Sequence, residues 1–119
     1  MNILLAEDEP FVQDILSITL RRAGHTVHLS ADGQEALDAF QREAFDVVIT
    51  DLDMPGLNGR DLAAKLKACV PGQRIILLTG ELDQRMAPPH VDYVLAKPIR
   101  GTTLVDLLNR IAATPMAVA

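Results

Sequence analysis

What is scarce in this chain of 119 residues excludes several classes of protein. It has a single cysteine, Cys69, so no disulfide can form within the chain, and we expect a reducing compartment such as the cytoplasm. No apolar run approaches the roughly 18 residues that a membrane-spanning helix needs. The first residues also lack the basic flank and cleavage site of a signal peptide. We therefore predict a cytoplasmic protein with no membrane partner.

Positive charge is also scarce. The chain has 11 Lys and Arg against 16 Asp and Glu, giving a net charge of −5, and no basic stripe. This balance argues against a nucleic-acid partner. Hydrophobic residues make up 49% of the chain, enough for a core, and the length suits one compact domain. We predict a domain over residues 1–113 and a short tail over 114–119.

Short apolar runs alternate with segments of helical periodicity, which is typical of an α/β protein. The predicted strands are apolar almost throughout, so helices should cover both faces of a parallel sheet. We predict a flavodoxin-like three-layer sandwich with strand order 2-1-3-4-5, in which strands one and three lie side by side at the topological switch point. The five predicted strands cover residues 2–6, 26–30, 47–51, 74–78 and 93–96.

Two local patterns add to this prediction. The crossover from Glu81 to Val91 is barely long enough for a helix and contains Pro88 and Pro89, so the fourth of five expected helices should be shortened or irregular. Cys69 lies on an apolar helical stripe and should be in the core. A second stripe should also pack in the core, and it comprises Val12, Ile15, Leu16 and Leu20.

Polar side chains follow four of the strands at the points where they end. Because the carboxyl ends of parallel strands share one edge of the sheet, we expect these side chains to converge there. They are Glu7 and Asp8 after the first strand, Asp51 after the third, Thr79 after the fourth and Lys97 after the fifth.

This set of residues predicts phosphoryl transfer to Asp51. Three crowded carboxylates repel one another, and Mg²⁺, which prefers carboxylate, water and phosphate oxygens, would relieve that repulsion. Lys97 supplies a positive charge for an anion and Thr79 a hydroxyl donor. Charge neutralisation and positioning are what the transition state of phosphoryl transfer requires, with Asp51 as the nucleophile.

In order and spacing, these motifs resemble the receiver domain of two-component response regulators, over nearly the whole chain. The residues that carry the resemblance are Glu7-Asp8, Asp51, Met54-Pro55-Gly56, Asn58-Gly59, Thr79 and Lys97-Pro98. The resemblance implies phosphorylation of Asp51 by a sensor histidine kinase or a histidine phosphotransfer protein. It further implies that the only chemistry is self-catalysed phosphorylation and autodephosphorylation, so the protein would not be an enzyme in the usual sense.

The resemblance also implies roles for individual residues. Glu7 or Asp8, together with Asp51, would hold Mg²⁺, and the backbone carbonyl of Asp53 would complete the protein ligands. Lys97 would contact the phosphoryl group, and Thr79 would move to contact it in the active state. The Lys97–Pro98 peptide would be cis, which fits the confinement of cis bonds to proline.

One position departs from the family. Receivers usually have Tyr or Phe three residues before the lysine, and this chain has Val94 there. Tyr93 is adjacent, but alternate strand residues face opposite ways, so it should point to the other side. This departure favours a relay role over a switch that couples threonine to an aromatic ring.

No output domain is apparent, and we expect a receiver of the single-domain or the hybrid-kinase type. The downstream target cannot be named from the sequence. Two alternatives remain. Asp51-Leu52-Asp53 is similar to the first motif of haloacid-dehalogenase-like phosphatases, although Met54-Pro55 replaces the threonine expected there. The other is an interaction module that no longer needs phosphate, which Val94 and the short crossover favour.

Overall fold

A five-stranded parallel sheet organises the molecule, which is known here from a computed structural model that describes residues 1–80 and 89–113. The order of the strands is β2-β1-β3-β4-β5, as the sequence predicts. Their bounds are β1 (Asn2–Ala6), β2 (Thr26–Ser30), β3 (Val47–Asp51), β4 (Arg74–Thr79) and β5 (Tyr93–Ala96).

Four helices cover the sheet in the described part of the chain. They are α1 (Pro10–Arg22), α2 (Gly33–Arg42), α3 (Gly59–Cys69) and α4 (Gly101–Ala113). The predicted shortened helix in the crossover after β4 falls largely on residues 81–88, and the predicted tail on residues 114–119. Both lie outside the described residues.

Short side chains start two of the helices. The carboxylate of Asp32 accepts a hydrogen bond from the backbone N–H of Glu35 at 2.8 Å and caps α2. The amide oxygen of Asn58 accepts from the N–H of Asp61 at 2.9 Å and caps α3. Each cap satisfies an N–H that has no partner inside its helix, so these residues fix where the loops end and the helices begin.

The core has two halves, one on each face of the sheet. On one face α1 and α4 pack against alternate residues of the strands, among them Ile3, Ile49 and Leu78. On the other face α2 and α3 pack against the residues between them, such as Leu4, Val48 and Ile75. Because apolar side chains point both ways, the strands read as nearly continuous apolar runs in the sequence.

Two predictions about the core are wrong. Cys69 is exposed, because it is the last residue of α3 and the buried residues of that helix end at Leu66. Ile15 is 45% exposed, although Leu16 and Leu20 on the same helix are buried. The apolar arc of α1 is wider than the strip that the sheet and α4 cover, so its outer part faces solvent.

Candidate phosphorylation site

The register of the strands brings the predicted site residues to one edge of the sheet. Asp51 is the last residue of β3 and pairs with Leu78, next to Thr79 at the end of β4. Thr79 pairs with Ala96 at the end of β5, and Lys97 follows directly. Glu7 continues β1, where its N–H donates to the carbonyl of Ser30 at 3.0 Å. The predicted convergence is therefore present.

Lys97 links two of the carboxylates. Its ammonium Nζ lies 2.7 Å from Oδ2 of Asp51 and 3.3 Å from Oε2 of Glu7. Its backbone N–H donates to the carbonyl of Thr79 at 2.8 Å, which holds the start of the loop after β5 against β4. The Lys97–Pro98 peptide is cis, in agreement with the resemblance.

Burial and charge perturb two of these groups. Burial of Glu7 and the negative charge of Asp51 raise the pKa of the Glu7 carboxyl, and Lys97 offsets only part of that increase. Burial by itself would lower the pKa of Lys97, but hydrogen bonds and charge from Asp51 and Glu7 outweigh it, and the pKa is raised. Lys97 is therefore a cation at neutral pH, while Glu7 holds its proton more tightly than an exposed glutamate does.

Asp8 joins the same cluster from the solvent side. One carboxylate oxygen from each of Glu7, Asp8 and Asp51 can be chosen so that all three lie within 4.8 Å of one another. Glu7 and Asp51 are buried and Asp8 is exposed, so a cation bound here would keep an open side for water or phosphate oxygens. Such hard oxygen donors, few in number, suit Mg²⁺. The arrangement has the donors that a magnesium site requires.

Asp53 lies beside this cluster. Its backbone N–H donates to Oδ1 of Asp51 over a long distance of 3.4 Å, and its side chain is exposed. The loop that contains Asp53, between β3 and α3, is closed by a hydrogen bond of 2.9 Å from the N–H of Gly59 to the carbonyl of Leu52. The Asp53 end of this loop is thus held next to the Asp51 carboxylate.

Val94 stands where the family has an aromatic ring, and Tyr93 points away as expected. Tyr93 packs on the face covered by α1 and α4, and its hydroxyl accepts a hydrogen bond from Nη1 of Arg74 at 3.3 Å. Val94 pairs with Leu77, which puts it on the same face as Thr79 two residues further along β4. No ring on β5 therefore lies beside the Thr79 side chain.

Two features of the site were missed from the sequence. The side-chain amide of Gln13 donates to the backbone carbonyl of Glu7, tying α1 to the acidic pair. A pocket of about 420 Å³ lies next to Lys97, lined by Phe11, Val12, Ile15, Leu16, Lys97, Pro98 and Ile99. Nothing in the sequence marks Gln13. The pocket could have been predicted from the sequence of α1, because apolar residues occupy two sides of this helix and the sheet can cover only one of them.

The sequence model of the response regulator receiver domain matches residues 3–109. The chain belongs to the response regulator receiver domain family. Receiver domains are signalling modules that histidine kinases or phosphotransfer proteins phosphorylate. The phosphatase and the phosphate-independent alternatives are not favoured by this result.

Curated relatives agree with this assignment. This receiver domain is 35% identical over 114 residues to the response regulator protein FleR of Pseudomonas aeruginosa, covering 92% of the chain and 24% of FleR. It is 32% identical over 127 residues to the sensory/regulatory protein RpfC of Xanthomonas campestris, covering 100% of the chain and 18% of RpfC. The chain thus spans about a quarter or less of the length of these two relatives.

Solved structures show the same fold. The chemotaxis protein CheY4 of Vibrio cholerae is 30% identical with a TM-score of 0.86, covering 92% of this chain and 97% of CheY4. The response regulator TrrA of Thermotoga maritima, solved in complex with Mg²⁺-BeF, is 27% identical with a TM-score of 0.86 and the same coverage.

Among residues 1–80 and 89–113, none of the helices of this receiver has both the length and the hydrophobicity of a membrane-spanning segment.

Proposed function

We propose that Asp51 of this receiver domain accepts a phosphoryl group from a partner's phosphohistidine. The observation that carries the proposal is the position of Lys97 Nζ, 2.7 Å from Asp51 and 3.3 Å from Glu7. The ammonium marks where negative charge can be held beside the nucleophile. We take the receiver to comprise residues 1–113, up to the end of α4.

In the proposed step, a carboxylate oxygen of Asp51 attacks the phosphorus atom of the phosphohistidine. The new O–P bond forms as the P–N bond breaks, and the imidazole keeps the electron pair of that bond. Lys97 leaves its ion pair with Asp51 and donates to a phosphoryl oxygen, and the Thr79 hydroxyl donates to another. These donors stabilise charge that develops on the equatorial oxygens, which is the main requirement of phosphoryl transfer.

The proposed protein ligands of Mg²⁺ are Glu7, Asp8 and Asp51 together with the backbone carbonyl of Asp53. Bound there, Mg²⁺ would neutralise charge on the carboxylates and on the phosphoryl oxygens. The support is the donor chemistry, since three carboxylates lie close together, two of them share a single ammonium and the third faces solvent. Burial raises the pKa of the Glu7 carboxyl, and metal ligation would favour its carboxylate form against that effect.

Hydrolysis of the aspartyl-phosphate would end the signal. The backbone N–H of Asp53 reaches the Asp51 carboxylate, and the residue is exposed to solvent. We therefore propose that the Asp53 carboxylate orients the attacking water. Asp53→Asn should then change the rate of dephosphorylation, measured by the loss of phosphate from the purified phosphoprotein. An unchanged rate would remove Asp53 from this role.

The outer face of α1 is the proposed approach for the partner's histidine. Phe11 is 69% exposed and Ile15 45%, and both line the apolar pocket that also contains Lys97 and Pro98. Exposed apolar side chains beside a polar site are typical of a protein interface. Because this face does not involve Val94, a relay of phosphate through Asp51 would not need the missing aromatic ring.

Incubation with Mg²⁺ and acetyl phosphate, followed by intact-mass measurement, tests the reaction. The wild-type protein should gain one phosphate, and Asp51→Asn should gain none. Omission of Mg²⁺ should prevent the gain in the wild type. A gain that persists in Asp51→Asn would mean that another residue is the acceptor. If the wild type gains phosphate and Asp51→Asn does not, phosphotransfer profiling against histidine kinases and phosphotransfer proteins would identify the partner.

A further inference from the structure

The connection between β2 and α2 carries no residue of the proposed site, yet it contacts both loops that do. At its start, the carbonyl of Ser30 accepts the N–H of Glu7 at 3.0 Å. At its end, Gly33, the buried first residue of α2, lies directly against Leu57 in the loop between β3 and α3. This connection therefore touches the acidic pair on one side and the loop that contains Asp53 on the other.

The contact at Gly33 leaves no room for a side chain. A Cβ atom built there would lie 2.1 Å from the carbonyl oxygen of Leu57, 2.8 Å from its Cβ and 2.9 Å from its carbonyl carbon. Real Cβ atoms essentially never approach another heavy atom within 3.0 Å. Two of these three atoms are backbone, so a rotamer change cannot relieve the clash and the loop itself would have to move.

The backbone angles of Gly33 are not the reason for glycine at this position. The residues with positive φ in the described chain are Gly24, Gly56 and His90, and Gly33 is not one of them. An alanine would suit the first turn of a helix here on propensity alone. What glycine provides is the close approach of Leu57, whose side chain packs beside the core between the sheet and α2 and α3.

We infer that Gly33 is a positioning residue, whose contact with Leu57 sets where the Asp53 backbone lies relative to Glu7, Asp8 and Asp51. The inference rests on the proposed function, because it concerns the same magnesium and phosphoryl site. The Ser30 hydrogen bond fixes the connection relative to Glu7, and the Gly33 contact fixes the loop of residues 52–58 relative to the connection. The spacing of the proposed metal ligands thus depends on a segment that binds nothing itself.

Gly33→Ala tests the inference through magnesium affinity. Relief of the clash needs a displacement of about 1 Å, and misplacement on that scale can cost about 10²-fold in rate. We expect Gly33→Ala to bind Mg²⁺ about tenfold or more weakly in a calorimetric titration. Its initial rate of phosphorylation by acetyl phosphate should fall with it, and saturating Mg²⁺ should restore part of that rate.

Gly24→Ala is the matched control. Gly24 has a φ of +94°, so alanine is strained there, but nothing lies within 4 Å of the added Cβ and the residue follows α1 at the far edge of the sheet. It should lower the melting temperature without changing Mg²⁺ affinity. If Gly33→Ala melts lower but binds Mg²⁺ as the wild type does, Gly33 has only a packing role and the inference is overturned.

Leu57→Gly covers the case in which Gly33→Ala does not fold. It removes the Cβ atom that meets Gly33 together with the side chain that packs beside the core, so Mg²⁺ affinity should fall by about threefold or more, and wild-type affinity would overturn the inference. Failure of the proposed function is distinguishable, because a wild-type protein that neither binds Mg²⁺ nor gains phosphate would exclude both. Normal wild-type chemistry with unaffected variants would exclude the positioning role alone.

Discussion

The sheet has a carboxyl edge, where the parallel strands end, and an amino edge, where they begin, and each brings a lysine to a carboxylate. At the amino edge, Lys67 Nζ lies 3.0 Å from Asp92, whose carboxylate also accepts the N–H of Ile75 at 2.8 Å. At the carboxyl edge, Lys97 Nζ lies 2.7 Å from Asp51 and 3.3 Å from Glu7. One lysine thus serves one carboxylate, and the other is shared between two.

The difference separates a structural ion pair from one that belongs to the proposed phosphorylation site. At the amino edge the carboxylate of Asp92 accepts a backbone N–H, and the carboxylate of Asp46 likewise accepts the N–H of Asn2 at 2.6 Å. At the carboxyl edge Glu7, Asp8 and Asp51 crowd together with one ammonium between two of them. The negative charge there exceeds what one ammonium can neutralise, so a further cation would be favoured. This excess of negative charge distinguishes the two edges better than the presence of an ion pair does.

Lys97→Ala compared with Lys67→Ala should give the largest contrast. Loss of a donor aimed at developing charge costs about 10²–10³-fold in rate, so Lys97→Ala should slow phosphorylation by acetyl phosphate to that extent. Lys67→Ala should leave the rate unchanged and cost at most about 1 kcal/mol of stability, as a partly exposed ion pair does. Rates from intact-mass time courses measure the first effect and urea unfolding the second. Equal rates in both variants would mean that the two edges do not differ in this way.

Asp8→Asn compared with Asp46→Asn should give the next effect. Both substitutions remove one negative charge and keep the shape of the side chain, one at each edge. Asp8→Asn should weaken Mg²⁺ binding by about tenfold or more, because an amide oxygen is a poorer ligand than a carboxylate. Asp46→Asn should bind Mg²⁺ as the wild type does. Calorimetric titration measures both, and a similar small loss in each would point to general electrostatics in place of direct ligation.

The pH dependence of stability should show the crowding at Glu7. Burial raises the pKa of this carboxyl above its ordinary value of 4.5, so the folded protein binds the proton more tightly than the unfolded chain does. The stability that this proton provides is complete below the ordinary pKa and is lost as pH rises through the raised value. Glu7→Gln should remove that loss.

Urea unfolding without Mg²⁺ between about pH 4 and about pH 8 measures this effect as the difference between the wild type and Glu7→Gln. The wild type should lose stability relative to the variant as pH rises. Added Mg²⁺ should restore wild-type stability at the high end of the range, because the cation replaces the proton. A difference that does not change with pH would show that Glu7 is not perturbed in the folded protein.

Tyr93→Phe should have the smallest effect. It removes the hydrogen bond of 3.3 Å from Arg74 near the amino edge and keeps the partly buried ring packed against the core, so the loss of stability should be about 1 kcal/mol or less. Phosphorylation should proceed at the wild-type rate, because this ring points away from Thr79. A slower rate would mean that Tyr93 does couple to the site in spite of its orientation.

Much of the fold and the site could be predicted because strand ends are visible in the sequence. The apolar runs before Glu7, Asp51, Thr79 and Lys97 place these residues at strand ends, and parallel pairing then puts all of them at one edge. Alternation along β5 likewise separates Tyr93 from Val94 correctly. The exposed position of Ile15 was not predictable in the same way, since helical periodicity does not say how wide an arc the neighbouring elements cover.

The sequence by itself determined the order of the elements, the two-sided burial of the strands and the kinds of side chain at the carboxyl edge, because periodicity and strand ends are local properties. The tertiary structure alone decided that Lys97 bridges Asp51 and Glu7, that burial raises the pKa of Glu7, and that Gly33 meets Leu57. Distances between residues far apart in the chain, and the exclusion of water around them, exist only once the layers are packed.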